Sequence, residues 1–279
     1  MIPESKAALQ DNRLRWDELV PHHISSDHYD LRGFLLGGCS LAAIELAELG
    51  SVAGKSLLHT QCHFGMDTLS WARRGASVTG VDFSEAAIIA ARKIAERLDL
   101  DARFEVAEVT QMGSVLGDEM FDIVFTSWGV LTWIPDVTAW ARALVERVAP
   151  GGTFYLLEVH PIVWTYDPQD EAPADSNGRS YDYFRTDAGF TVEAGGSYAV
   201  DDIDTEHTRE HFWTYELGEV ITALLQAGLT LEYVHEHDAL NRQALPSLEL
   251  GEDGLWRQPS GVKNLPLSFS IRGTRGVGG

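Results

Sequence analysis

The chain of 279 residues carries a formal net charge of −21, from 42 acidic and 21 basic side chains. Such a field repels phosphate backbones, so nucleic acid is not expected as a partner. With 44% hydrophobic residues and no apolar run of about 18 residues, the composition predicts a globular protein without a membrane helix. The start of the chain lacks the basic and apolar parts of a secretory signal, and two cysteines make no disulfide framework. A cytoplasmic location is therefore expected, and no Cys/His spacing indicates a metal site.

The pattern along the chain predicts a helical entry or lid segment over residues 1–54, followed by a parallel α/β alternation. Gly75 is expected to end the first core helix, and Ser84 to cap the second. Strands are predicted near residues 57–58, 78–81, 104–107, 121–126, 153–159, 229–235 and 266–272. Helices are predicted over residues 67–74, 86–98, 136–148 and 217–227. The predicted organisation is a cofactor-binding core at 55–160, a substrate cap at 161–214 and a return to the core at 215–279.

The most informative stretch runs from Ser56 to Ser84, where strand, tight turn, helix and strand end at Asp82. In a parallel βαβ unit, a carboxylate after the second strand can accept hydrogen bonds from ribose hydroxyls. The turn from Gln61 to Gly65 lacks the three glycines that a pyrophosphate site uses, and no phosphate-binding loop is present. A nucleoside that carries a sulfonium and an amino acid fits this turn better than a dinucleotide.

At this point the chain resembles the class I S-adenosylmethionine-dependent methyltransferases, and in particular a bacterial small-molecule subgroup with an L-H-x-Q-C-H-F-G cofactor turn. The likeness covers nearly the whole chain, and the cofactor turn with V-D-F-S and the P-G-G strand entry are its most specific parts. The stretches that carry it are Trp16-Asp17-Glu18, His28-Tyr29-Asp30, Gly33-Phe34, Leu58 to Gly65, Gly80 to Ser84, Phe121 to Ser127, Pro150-Gly151-Gly152, Glu158 to Pro161 and Leu265 to Ser270.

The resemblance implies a Rossmann-like α/β fold: a seven-stranded, mostly parallel sheet with helices on both faces, the last strand antiparallel beside the fifth, and a cap insertion. It implies S-adenosylmethionine as the cofactor. Asp82 is then expected to bind the ribose hydroxyls and Phe83 to lie against the adenine. Glu108 takes the position that faces the adenine amino group, and Val109 offers its backbone N–H to a ring nitrogen.

The other end of the cofactor is assigned in the same way. Gln61 and Gly65 are expected to line the methionine end, which Tyr29 also contacts unless its role is structural. Ser127 and Trp128 are expected under the sulfonium, where an indole face favours a cation; the alternative for Trp128 is core packing.

Three residues depart from the family pattern: His59 stands where most members carry an acidic residue, and Gln61 and His63 replace glycines. The Gln61 amide could hold part of the methionine end, or these residues could simply fill the turn.

Methyl transfer to a hydroxyl or ammonium group requires removal of a proton, usually by His, Asp, Glu or Tyr. His160 follows the fifth strand at the expected active-site edge and is the first candidate for a general base; the alternative is an orienting or structural histidine. His207 and His211 lie in the expected cap and could act as bases or lie on the surface.

The segment from Pro161 to Trp213 is too long for a simple connection and rich in aromatic residues, so a substrate cap is expected; the alternative is a surface elaboration. Residues 161–240 hold 17 acidic side chains against three arginines. This charge is either a solvated surface or an attraction for a cationic acceptor. Together, the acidity and the aromatic residues favour an uncharged or cationic acceptor.

The sequence therefore predicts an enzyme that methylates an oxygen or nitrogen of a small-molecule acceptor, as a monomer or homodimer. The alternative is a non-catalytic S-adenosylmethionine-binding protein with a regulatory or assembly role. A dehydrogenase is disfavoured by the missing glycine fingerprint.

Overall fold

The computed structural model describes residues 3–166, 178–184, 189–200, 203–261 and 264–276. Its strands, in chain order, are β1 Ser56–Thr60, β2 Ser77–Asp82, β3 Ala102–Val106, β4 Phe121–Ser127, β5 Val148–Val159, β6 Phe190–Glu193, β7 Arg209–Phe212, β8 Leu229–His237, β9 Ala239–Leu240, β10 Glu249–Leu250, β11 Trp256–Arg257 and β12 Ser268–Arg275. Its α-helices are α1 Pro3–Ser25, α2 Leu31–Leu35, α3 Ala43–Leu49, α4 Met66–Ala72, α5 Glu85–Arg97, α6 Gly113–Leu116, α7 Val137–Val145 and α8 Leu217–Gln226. Short 3₁₀ helices span Val109–Gln111, Leu131–Trp133 and Pro161–Thr165.

Seven strands form the central sheet in the order β3-β2-β1-β4-β5-β12-β8. Strands β1 to β5 pair in parallel, whereas β12 runs antiparallel to both β5 and β8. The order changes direction between β1 and β4, which is the point where open parallel sheets bind ligands at the carboxyl ends of their strands. The prediction of a seven-stranded sheet whose last strand is antiparallel and lies beside the fifth is confirmed.

Helices cover both faces of this sheet because successive side chains of a strand point to opposite faces. Leu58 and Phe154 lie in one buried cluster with Trp140 of α7 and Leu224 of α8. Their sequence neighbours Leu57 and Tyr155 lie in another cluster, together with residues of α3 and α4. The central strands are thus buried on both sides, as parallel sheets usually are.

Local signals explain several element ends. The Ser84 hydroxyl accepts a hydrogen bond from the backbone N–H of Ala87 at 3.0 Å, so Ser84 caps α5 as predicted. Gly75 follows α4 with a φ of 87°, the left-handed conformation that ends many helices. The predicted helix 136–148 ends earlier, at Val145, because Val148 already pairs with Phe121 at the start of β5.

Smaller elements lie beyond the central sheet. Strands β6 and β7 pair as an antiparallel ribbon, and β9, β10 and β11 form a three-stranded sheet. Parts of the predicted cap, residues 167–177, 185–188 and 201–202, lie outside the described residues. None of the helices in the described ranges combines the length and apolarity needed to cross a membrane.

The long helix α1 packs against the ribbon through polar contacts. Arg15 is fully buried and its Nε lies 3.1 Å from Oε1 of Glu210 on β7. The Asn12 side-chain amide bonds the backbone of His211 in both directions, at 2.9 and 2.8 Å. These contacts place α1 and β7 on the same side of the cavity described next.

Candidate active site

A cavity of about 630 Å³ opens at the carboxyl ends of β1, β2 and β4. Its walls come from the turn after β1, the ends of β2 and β4, the segment after β3, helix α1 and its following loop, and parts of the chain after β5. The nine residues predicted to bind a cofactor all line it: Tyr29, Gln61, Gly65, Asp82, Phe83, Glu108, Val109, Ser127 and Trp128.

Asp82 ends β2 at the floor of this cavity. Its Oδ2 accepts the backbone N–H of His63 at 2.8 Å, and its Oδ1 accepts that of Ser84 at 2.9 Å. Burial raises the pKa of Asp82 to about 6, while these two bonds favour the charged form. A carboxylate oxygen can accept more than one hydrogen bond, so both oxygens keep capacity for a ligand.

The turn after β1 is held by its own side chains. Gln61 has a φ of 56° and lies between two other elements: its Nε2 donates to the carbonyl of Val130 at 3.1 Å, and its Oε1 accepts from Nε1 of Trp140 at 3.2 Å. The Gln61 amide, which could have held the methionine end of the cofactor, is thus hydrogen-bonded within the protein. Gly65 has a φ of 78°, and a Cβ there would lie 2.7 Å from the ring of Phe104. Its lack of a side chain therefore serves the packing of the turn on β3.

His59, which departs from the family pattern, is buried at the end of β1. Its Nδ1 lies 2.8 Å from the Thr68 hydroxyl of α4, and burial lowers the pKa of His59 to about 3. A neutral imidazole joining β1 to α4 therefore takes the place of a carboxylate.

The wall next to Asp82 is formed by the segment after β3. Glu108 caps the short 3₁₀ helix there, because its Oε2 accepts the backbone N–H of Thr110 at 3.0 Å and also the Thr110 hydroxyl. Val109 is buried beneath it. Two carboxyl groups, those of Asp82 and Glu108, therefore line neighbouring parts of the cavity.

Aromatic side chains form another part of the lining. Trp128 follows β4 with a φ of 52° and its N–H bonds the carbonyl of Leu157 at 2.7 Å. Tyr29 bonds Tyr198 through their hydroxyl groups, and its ring lies 4.7 Å from that of Phe64, centroid to centroid. The bond between Tyr29 and Tyr198 joins the loop after α1 to the chain that precedes β7.

The three histidines predicted as bases do not line the cavity. Nδ1 of His160 accepts the backbone N–H of Ile162 at 3.1 Å, and its Nε2 lies 3.1 Å from Glu236. His207 pairs with Glu18 at 2.8 Å and His211 with Asp11 at 3.0 Å. In the structure His160 caps a 3₁₀ helix, and the other two join the ribbon region to α1. A role for any of the three as a base stays a prediction.

A different histidine, His63, lines the cavity and is paired with His23. Nδ1 of His23 is 3.1 Å from Nε2 of His63, and Nε2 of His23 is 2.9 Å from the Ser197 hydroxyl. His63 lines the cavity and Trp16 packs edge-on against both rings. Burial lowers the pKa of His23 to about 4 and that of His63 well below its usual value. Both rings are therefore neutral at neutral pH.

Two further lining residues, Asp67 and Arg242, were not predicted from the sequence. Asp67 lies in the first turn of α4, and Glu45 of α3 is fully buried nearby. Burial raises the pKa of Glu45 to about 8, with the charge of Asp67 adding to the shift. Arg242 lines the cavity from the chain after β9. Asp67 lies two positions after Gly65 of the cofactor turn, so the sequence carried a signal for it. No local pattern indicated Arg242. In the described ranges, no group of three or more His, Cys, Asp or Glu side chains could hold a metal ion.

Comparison with known proteins places this geometry in a family context. Residues 58–154 match the family model described as a methyltransferase domain. The ubiquinone biosynthesis O-methyltransferase of Pseudomonas putida strain GB-1 is 33% identical over 116 residues, which are 40% of this chain and 48% of that protein. The enzyme of the same name from Pseudomonas paraeruginosa is 35% identical over 115 residues, with the same two shares. The chain thus spans about half the length of the curated relatives that it matches.

Solved structures match over more of the chain. An S-adenosylmethionine-dependent methyltransferase from Mesorhizobium loti superposes with a TM-score of 0.57 at 23% identity, over 86% of this chain and all of that one. The glycopeptide N-methyltransferase MtfA, solved with S-adenosylmethionine, gives 0.52 at 14% identity over 84% of this chain and 92% of that one. Together with the strand order and the cavity at its switch point, these structures show that the chain has the class I S-adenosylmethionine-dependent methyltransferase fold, and its residues 58–154 match the methyltransferase domain family.

Proposed function

We propose that this protein transfers a methyl group from S-adenosylmethionine to an oxygen or nitrogen of a small molecule. The observation that carries the proposal is the buried Asp82 carboxylate at the end of β2, which lines a cavity together with the eight other residues predicted for the cofactor. The curated relatives are named O-methyltransferases, which supports oxygen as the acceptor atom. The proposed division into a core, a cap at 161–214 and a return at 215–279 is part of the same proposal.

The residues at the nucleoside end fit the proposed cofactor. Asp82 retains acceptor capacity for two ribose hydroxyls, and Phe83 offers a ring beside it for the adenine. Glu108 and the backbone N–H of Val109 supply an acceptor and a donor for the base. The only Lys or Arg among the described lining residues is Arg242, which comes from the chain after β9, so this half of the cavity suits a nucleoside better than a pyrophosphate.

The residues expected at the methionine end also suit a cation. Bound there, the cofactor would supply an electrophilic methyl group on a sulfonium. Asp67 offers a carboxyl group towards the amino-acid part, and the Trp128 indole suits a neighbouring positive charge. The described lining includes five carboxyl groups: those of Asp30, Asp67, Asp82, Glu108 and Glu210.

The acceptor loses a proton when it is a hydroxyl or an ammonium group, and we assign that proton to His63. It lines the cavity as a neutral imidazole, and the bond between His63 and His23 orients it. His23 in turn contacts Ser197, so the pair can hold one tautomer. We prefer His63 to the three histidines predicted from the sequence because it lines the cavity and they do not. The free thiols of Cys39 and Cys62 support a reducing, cytoplasmic location.

Calorimetric titration with S-adenosylmethionine and S-adenosylhomocysteine, on the wild type and on Asp82→Ala, tests the proposal. We expect micromolar binding by the wild type. The variant should bind at least about a hundredfold more weakly, since it loses hydrogen bonds to a charged group worth about 1.5–3 kcal/mol each. An acceptor found by screening then tests His63: in His63→Gln, turnover should fall about a hundredfold or more while cofactor affinity stays near wild type.

Asp136→Ala is the matched control for this titration. The Asp136 carboxylate also accepts two backbone N–H groups, those of Thr138 and Ala139, at 3.0 Å each, but it does not line the cavity. This variant should keep wild-type affinity. A folded wild type that binds neither ligand would refute the proposed function, and equal affinity in Asp82→Ala would remove Asp82 from the site.

A further inference from the structure

Arg242 differs in charge from the rest of the cavity. Among the described lining residues, its guanidinium is the only side chain of Lys or Arg, whereas five carboxyl groups line the same cavity. In a chain with a net charge of −21, a carboxylate partner for this arginine would be expected. The contacts of Arg242 are instead with aromatic rings.

Aromatic rings, and not carboxylates, surround the guanidinium. Its central carbon lies 5.5 Å from the ring centroid of Trp164 and 5.7 Å from that of Tyr198. Within the described ranges, no carboxylate oxygen lies within 4 Å of its nitrogens and its side chain makes no hydrogen bond. By contrast, Arg257, fifteen positions later, holds Asp253 with both of its terminal nitrogens at 2.7 Å.

The carboxylate whose charge acts on Arg242 is that of Glu158, and it is already hydrogen-bonded within the protein. It accepts four backbone N–H groups, from Gly129, Val130, Leu131 and Val159, at 2.6 to 3.0 Å. Burial lowers the pKa of Arg242 from its usual value, but a guanidinium stays charged in proteins. Arg242 is half-buried at the cavity wall, and its N–H groups can donate charge-assisted hydrogen bonds to a bound anion.

We propose that Arg242 binds a carboxylate group of a ligand in this cavity, with the aromatic walls of Trp164 and Tyr198 flanking it. The planar fork of a guanidinium matches a carboxylate with two parallel hydrogen bonds. The inference rests on the proposed function and refines it, because it makes the acceptor an acid where the sequence favoured an uncharged or cationic one. The acidic residues elsewhere then serve the surface and the cofactor.

Two molecules could bring this carboxylate: the acceptor, or the amino-acid end of the cofactor. Arg242 comes from the chain after β9 and contacts residues of the segments after β5, whereas the predicted nucleoside contacts come from β1 to β4. This separation favours the acceptor over the nucleoside half of the cofactor. The bond between Tyr198 and Tyr29 also brings Arg242 near the predicted methionine end, so the experiment has to distinguish the two sources. S-adenosylhomocysteine carries the amino-acid carboxylate and 5′-methylthioadenosine lacks it, so the pair of nucleosides distinguishes the two sources.

The test is calorimetry on the wild type, Arg242→Met and Arg242→Lys, with benzoate and its neutral analogue benzamide as probes. Each probe is titrated with and without saturating S-adenosylhomocysteine, and the two nucleosides are titrated separately. Arg257→Met is the matched control, because it loses one positive charge outside the cavity. Circular dichroism checks each fold, and Arg242→Lys supplies the answer where Arg242→Met does not fold.

We expect the wild type and Arg257→Met to bind benzoate about tenfold or more tightly than benzamide, as a charge-assisted bond implies. Arg242→Met should lose this preference, and Arg242→Lys should keep only part of it. Unchanged nucleoside affinities would then assign the site to the acceptor. A tenfold loss for S-adenosylhomocysteine with none for 5′-methylthioadenosine would instead assign the carboxylate to the cofactor.

The proposal is overturned when Arg242→Met changes neither the benzoate preference nor the affinity for S-adenosylhomocysteine. Its failure is distinct from failure of the proposed function. A folded wild type that binds benzoate through Arg242 but neither nucleoside would keep the carboxylate site and refute the methyltransferase. A folded wild type that binds none of the four ligands would refute both the carboxylate site and the methyltransferase function.

Discussion

At the scale of single residues, the turn after β1 shows how a departure from a motif is accommodated. Gln61 and His63 stand where the family has glycines, and both have positive φ values, 56° and 49°. Left-handed backbone costs a non-glycine residue roughly 1–2 kcal/mol. The Gln61 amide bonds and the bond from the His63 N–H to Asp82 offset that cost. The sequence revealed the substitutions, but the compensation requires contacts with residues 19 to 79 positions away.

The glycine retained in this turn gives a first prediction at this scale. Gly65→Ala should lower the free energy of unfolding by about 2–5 kcal/mol, because it combines a φ of 78° with a Cβ 2.7 Å from the Phe104 ring. Gly117→Ala is the control: it has a φ of 59° and no atom within 4 Å of its Cβ, so it should lose only about 1–2 kcal/mol. Urea unfolding measures both, and equal losses would show that packing on Phe104 contributes nothing.

The buried His23 ring gives a prediction about pH. Its pKa of about 4 lies below the usual value of 6.5. Between these values the unfolded chain binds a proton that the folded protein does not, so stability falls as pH falls from 6.5 to 4. At about 1.4 kcal/mol for each pKa unit, this residue alone should remove about 3 kcal/mol.

The measurement is urea unfolding at several pH values on the wild type and on His23→Gln. The variant lacks the titrating ring, so its stability should fall less over this range. His22→Gln, one position earlier on the same helix, serves as the control and should keep most of the wild-type fall, because the charge of His22 lowers the pKa of His23 less than burial does. Parallel profiles for the wild type and His23→Gln would contradict the account.

At the scale of elements, the helices and strands of the core followed from local pattern. Predicted and observed limits agree within about three residues for α4, α5 and α8, where caps and apolar spacing are strong. The predicted limits of strand β5 and of helix α7 before it were less accurate. There the pairing of Phe121 with Val148 extends the strand back through Pro150 and shortens α7. Strand pairing is a tertiary contact, and single-sequence pattern does not carry it.

The docking of α1 on β7 gives a prediction for this scale. Arg15 is fully buried and donates to Glu210 and to the carbonyls of Gly196 and His207. Arg15→Met leaves the Glu210 carboxylate buried without its partner, so it should cost about 3–5 kcal/mol of unfolding free energy. The double variant Arg15→Met/Glu210→Leu removes both charges and should cost less than the single one.

Arg13→Met provides the comparison on the same helix. Its ion pair with Asp17 is half-exposed and spans 3.8 Å, so the loss should stay below about 0.5 kcal/mol. Denaturant unfolding of the four proteins separates the two cases. A cost for Arg15→Met that is no larger than that for Arg13→Met would show that the buried pair does not hold α1 in place.

At the scale of the whole molecule, the order of elements and the family resemblance predicted the sheet and the edge at which the cavity lies. Eight of the nine predicted cofactor residues meet there because parallel strands bring their carboxyl ends to one edge, and Tyr29 reaches the cavity from the loop after α1. The packing of α1 against the ribbon region beside the cavity could not be predicted from the sequence. It depends on contacts between residues 170 to 200 positions apart, such as His23 with Ser197 and Arg15 with Glu210. No local pattern signals these pairs. The sequence analysis therefore predicted His160, His207 and His211 as candidate bases, although none of the three lines the cavity.

The most direct test of the central claim is a crystal structure of the protein with S-adenosylhomocysteine. Both ribose hydroxyl oxygens should lie within about 3.2 Å of the Asp82 carboxylate, with the adenine beside Phe83 and Glu108 and the sulfur on the side of Trp128. A nucleoside bound elsewhere, or one in this cavity with its ribose turned away from Asp82, would contradict the account.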